Sequence, residues 1–104
     1  MIGSVNNILN EIVNEEFERF LCEINESEFE IGCFLDETDY EDEYSHNEIG
    51  TMQVALTEKI RNYLHEYHPG KYIVSNSWCV HVMTPEHARK AHVSEYTIKN
   101  FLVR

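Results

Sequence analysis

The chain has 104 residues, of which 42% are apolar, and a formal net charge of −11. Residues 1–50 carry fifteen acids against the single base Arg19, a net −14, while residues 51–104 stand at +3. That length suits one domain and one core, the apolar fraction excludes a disordered chain, and no apolar run approaches the roughly 20 residues that cross a bilayer. No basic patch precedes an apolar stretch near Met1, so no secretory signal is expected, and the expected location is the cytoplasm. Cys22, Cys33 and Cys79 are odd in number and form no Cys-x-x-Cys pair, so they indicate no disulfide framework. Cys22 and Cys33 read as small buried hydrophobes within apolar patterns.

Val5, Ile8, Leu9, Ile12, Val13, Phe20, Leu21 and Ile24 recur at three-and-four spacing and predict a helix over about 5–24, with Ser4 as N-cap and Asn25 as stop. Phe17 falls beside this stripe, and the opposite face carries Glu11, Asn14, Glu15 and Glu18. The β-formers of residues 29–35 predict a short strand. Residues 36–48, DETDYEDEYSHNE, hold densely repelling charges with only Tyr40 and Tyr44 as apolar interruptions, and predict an exposed acidic loop.

Ser45 and Glu48 have the spacing of a capping box, and Ile49, Met52, Leu56, Ile60, Tyr63, Leu64 and Tyr67 follow with helical period. A second helix is predicted over about 48–67, stopped at His68-Pro69-Gly70. Residues 71–83 read as one long strand, with Tyr72, Val74, Trp78, Val80 and Val82 turned to the core. Thr84-Pro85 opens a short helix over His87 to His92. Val93 to Arg104 fits a final strand, with a helix capped by Ser94 as the rival reading. The expected architecture is α+β, in the order α-β-α-β-β: two main helices on one face of a small antiparallel sheet with at least one open edge.

Chemistry-bearing motifs are sparse. Gly3, Gly32, Gly50 and Gly70 are isolated, so no phosphate-binding loop is present, and the acidic run lacks the ligand order and turn glycine of an EF-hand. His65-x-x-His68, Cys79-x-His81 and His87-x4-His92 match no zinc signature. On one continuous strand Cys79 and His81 would stand about 6.5–7 Å apart, too far for an activated thiol. No catalytic residue, metal ligand set or cofactor is therefore assigned.

Charge carries the functional expectation. The acidic half disfavours direct phosphate contact and favours a basic partner. Its groups are Asp36, Glu37, Asp39, Glu41, Asp42, Glu43 and Tyr40, with Glu15 and Glu18 in support. They suit a non-enzymatic binding protein, an inhibitor that covers the basic groove of a nucleic-acid-binding protein and binds neither nucleic acid nor membrane itself. In size and charge the chain is similar to small inhibitors encoded by phages and mobile elements. A self-associating structural or adaptor subunit, pairing as a homodimer around Trp78, is the alternative; a small metal- or thiol-dependent enzyme stands third.

Overall fold

The computed structural model describes residues 2–26 and 28–104, and side chains from residue 7 onward except that of residue 27. The elements are α1 (Ile2–Ile24), β1 (Ile31–Phe34), α2 (Glu37–Tyr40), α3 (His46–Tyr67), β2 (Ile73–Asn76), β3 (Val80–Met83), α4 (Pro85–Lys90) and α5 (Glu95–Phe101). All strands run antiparallel in the order β1-β3-β2, and α1 and α3 pack together over one face of this sheet. The class is α+β, as periodicity and element order require.

The main core lies between those two helices and the sheet. Phe20 of α1, Leu56, Ile60 and Leu64 of α3, and Phe34, Val80 and Val82 of the sheet are fully buried within it. Burying one such side chain contributes about 1.5–3 kcal/mol. The α1 stripe is seated through Val13, Phe20 and Ile24, with Phe17 half-buried beside them; Ile8 is largely exposed, and the side chains of Ser4 and Val5 lie outside the described residues. The capping box forms in both directions: Ser45 Oγ accepts from Glu48 N, and Glu48 Oε1 accepts from Ser45 N at 2.8 Å. Gly32 has no room for a side chain, since a Cβ there would stand 2.7 Å from the Phe34 ring.

Three expectations are corrected. Residues 71–83 form a hairpin, β2 and β3, rather than one strand: Ser75 and Asn76 pair with His81 and Val80, and the chain reverses at Ser77-Trp78-Cys79, where Ser77 N donates to Cys79 O at 3.1 Å. Trp78 sits in that turn and is 73% exposed, so it does not face the core; Val74, Val80 and Val82 do. The last stretch is the helix α5 rather than a strand. Ser94 Oγ accepts from Thr97 N, and helical spacing lets Ile98 and Leu102 pack with Ile73, Met83 and Ala88 against the opposite face of the sheet. Thr84 caps α4 in the same way, with Pro85 in its first turn.

Residues 36–48 are not one continuous loop: they hold α2, turns and the first residues of α3. The outer side of β2 is partly closed, since Leu102 bridges Ile73, and Val103 N donates to Tyr72 O. At β1, Arg19 Nη2 donates to Cys33 O at 2.9 Å.

Candidate functional site: an acidic face and a thiol–imidazole cluster

Two local features support the acidic face. Leu35 leaves β1 with φ 53°, a left-handed conformation that a leucine holds only when its surroundings enforce it. Here the side chain is fully buried, and Gln53 Nε2 donates to Leu35 O at 3.0 Å and to Trp78 O at 2.9 Å. Gln53, itself buried on α3, thus ties the end of β1 to the hairpin turn. Asp36 then caps α2, its Oδ1 accepting from Thr38 N and Thr38 Oγ1. The backbone hydrogen bond and then the hydroxyl hold its carboxyl below the usual range, with a smaller electrostatic pull from His81.

The second feature joins α2 to α1. Tyr40 donates its phenol to Glu16 Oε2 at 3.1 Å, and Arg19 clasps Glu16 Oε1 at 2.7 and 3.1 Å while also bonding Glu23 at 2.8 Å. The Arg19 guanidinium lies 4.6 Å over the Phe34 ring. The one arginine of the acidic half is therefore already paired within the fold, although its side chain stays exposed.

The nine expected partner-binding residues divide accordingly. Asp36 is an N-cap, Glu37 pairs with His46 Nδ1 at 2.6 Å, and Tyr40 is held by Glu16. Glu15, Glu18, Asp39, Glu41, Asp42 and Glu43 are exposed, and among the described residues none of these six enters a salt bridge. Asp39 and Glu15 both act electrostatically on Tyr40, which places the exposed ridge of α1 beside α2. The structure thus brings Glu15 and Asp39, more than 20 positions apart in sequence, to the same phenol.

Burial, and then the neighbouring Glu16 carboxylate, push the Tyr40 phenol up to about 12 from its ordinary 10. The fold favours the neutral phenol, so its contribution to stability is full below pH 10 and is lost as pH rises through 12. In thermal melts, Tyr40→Phe is expected to weaken the fall in stability over that window. A fall as steep as that of the parent protein would assign it to other groups.

The sheet face opposite the main core carries a second cluster. Cys33 and Cys79 form a disulfide with Cα atoms 6.0 Å apart, contrary to the expectation of three separate thiols. Cys33 is exposed rather than buried, whereas Cys79 is buried, and Cys22 is a free, exposed cysteine rather than a core residue. Cys33 stands opposite His81 in the β1–β3 register, one pair away from Phe34 opposite Val80. The expected distance between Cys79 and His81 also fails: Cys79 Sγ lies 3.4 Å from His81 Nε2. Cys79 precedes the strand, in the hairpin turn, so extended-strand spacing does not apply to it. Sequence reasoning could not pair Cys33 with Cys79, because only the register of non-consecutive strands brings them together.

The other histidines are dispersed. His65 Nδ1 meets Arg104 O, His68 N caps α3 by donating to Leu64 O, and His87 approaches Glu30 at 3.9 Å. Comparison with protein-family models, curated proteins and solved structures finds no match to the chain.

Proposed function

We propose that this protein is a non-enzymatic acidic binding protein that docks on the basic, nucleic-acid-binding surface of a partner protein and occludes it. The observation that carries this reading is the set of six exposed carboxylates, Glu15, Glu18, Asp39, Glu41, Asp42 and Glu43, without salt-bridge partners among the described residues. Arg19, the only base nearby in sequence, is already engaged by Glu16, Glu23 and the Cys33 carbonyl. A negative surface of this kind steers a positive partner and fixes its orientation, and its effect weakens within a Debye length of about 8 Å at physiological salt. Because α2 is capped by Asp36 and clipped to α1 by Tyr40, these charges are displayed on an ordered support, which lowers the entropic cost of docking. The reading places the protein in the cytoplasm.

The deciding variant is Asp39→Lys, Asp42→Lys and Glu43→Lys together. It is expected to abolish salt-sensitive capture of a basic protein, and double-stranded DNA should displace that partner from the parent protein. The melting temperature should move by only a few degrees, since exposed charges contribute about 0–1 kcal/mol each. Capture that persists undiminished in the triple variant would refute the acidic mimic. The self-associating alternative draws on one observation, the 73% exposure of Trp78, and predicts a salt-resistant dimer dispersed by Trp78→Ala.

A further inference from the structure

We propose that the reduced protein binds one zinc ion through Cys33, Cys79 and His81, and that closure of the Cys33–Cys79 disulfide releases it. This inference stands on residues separate from the acidic face and holds or fails independently of it.

The three side chains converge on one face of the sheet, and one potential ligand atom from each lies within 4.8 Å of the others. Zinc takes thiolate sulfur at about 2.3 Å and imidazole nitrogen at about 2.0–2.1 Å, so tetrahedral geometry sets sulfur and nitrogen about 3.6 Å apart. The Cys79 Sγ to His81 Nε2 separation is 3.4 Å, already close to that figure. Two tetrahedral thiolates would stand about 3.8 Å apart by the same geometry, a modest opening once the sulfur–sulfur bond is cut. The cysteines stay adjacent without that bond, because the Cys33–His81 and Phe34–Val80 pairings hold β1 and β3 in register. Three protein ligands leave the fourth position to water.

The chemistry is soft and specific. Two thiolates and an imidazole favour zinc over the hard cations magnesium and calcium, which take oxygen ligands. Two molecules of a low-molecular-weight thiol deliver two electrons and two protons to the disulfide, by way of a mixed disulfide, and leave joined as their own symmetric disulfide. Zinc then displaces the two thiol protons. Oxidation runs the balance in reverse: the two sulfurs lose two electrons to an oxidised thiol pair and zinc departs. In a reducing cytoplasm, where disulfides are rare, the dithiol is the prevailing form. The exposure of Cys33 gives both reductant and metal access to the cluster.

The test uses the full chain carrying Cys22→Ser, which removes the one other thiol, reduced with a phosphine that does not contribute a thiol ligand. Cobalt(II) serves as the spectroscopic probe and zinc as its competitor. One equivalent of cobalt is expected to give tetrahedral ligand-field bands and thiolate-to-cobalt charge transfer, both lost on adding one equivalent of zinc. His81→Ala should bind at least tenfold more weakly and Cys33→Ser should lose the charge-transfer signal of two thiolates, while His87→Ala binds as the parent does. Zinc should also raise the melting temperature of the reduced protein and leave that of the oxidised protein unchanged. The proposal is overturned if the reduced parent shows no cobalt bands, if His81→Ala binds as tightly as the parent, or if zinc leaves the reduced protein's melting temperature where it was.

Discussion

Phe20→Ala is expected to destabilise the protein by about 3–5 kcal/mol, the range for removing a large aromatic from a packed core. Phe20 is fully buried at the centre of an aromatic group. Its ring lies 5.6 Å from that of Phe34 on β1 and 5.7 Å from that of Tyr63 on α3, edge-to-face in both cases, and 5.8 Å from Phe17. One side chain therefore links α1, α3 and the sheet, and the space left behind is walled by elements that cannot all close on it. Against a total stability of about 5–15 kcal/mol for a domain of this size, such a loss removes a large share. The melting temperature should fall by more than about 12 °C, with a lower urea midpoint to match. A loss under 1 kcal/mol would mean that α1 is not seated through Phe20.

Opening the disulfide is the second large effect. Cys33 and Cys79 are 46 residues apart, and a cross-link of that span removes enough freedom from the unfolded chain to contribute about 4 kcal/mol in the chain-entropy account. Cys33→Ser in metal-free buffer is expected to lower the melting temperature by more than about 15 °C. Cys22→Ser, at an exposed free cysteine, should leave it unchanged. The loop closed by the bond contains α2 and α3, so the loss should appear as one cooperative transition. If Cys33→Ser melts with the parent protein, the cross-link contributes nothing to stability. The proposed zinc complex would join β1 to the same hairpin turn when the sulfurs are reduced, which is why metal and redox state must both be controlled in these measurements.

The parts of the fold legible in the sequence are those whose signals lie within a few residues. Helix α3 is visible from its apolar period and from Ser45 and Glu48, which cap it in both directions. Helix α1 is visible from the stripe that ends in Phe20 and Ile24, although it starts at Ile2 rather than near residue 5. The hairpin was obscured because Tyr72, Val74, Trp78, Val80 and Val82 alternate as one strand would. Only the turn at Ser77-Trp78-Cys79, with Trp78 thrown outward, breaks the alternation. Residues 93–104 leave two readings open, because the stretch is rich in Tyr, Thr, Ile, Phe and Val while Ile98, Phe101 and Leu102 lie at helical spacing after a Ser94 cap. Packing of Ile98 and Leu102 on Ile73 and Ala88 decided between them.

The acidic surface was legible as charge but not as architecture. Repulsion among residues 36–48 points to an exposed loop, yet the Asp36 cap starts a short helix there and the Tyr40–Glu16 hydrogen bond ties it to α1. Neither Glu16 nor Arg19 stands out, since a carboxylate among fifteen and a lone arginine look like ordinary surface residues until the fold brings the Tyr40 phenol and the Cys33 carbonyl to them.

The sequence by itself therefore determined the α+β class, the two long helices, the charge asymmetry and the residues that carry it, because composition and three-to-four-residue periodicity are local properties. The tertiary structure alone decided that three of the nine acidic-face residues serve the fold and that, among the described residues, the other six enter no salt bridge. It alone brought Cys33, Cys79 and His81 together. The reason is physical: the register of β1 on β3 is set by burying Phe34, Val80 and Val82 against α1 and α3, and a contact between residues 46 apart exists only once that core has formed.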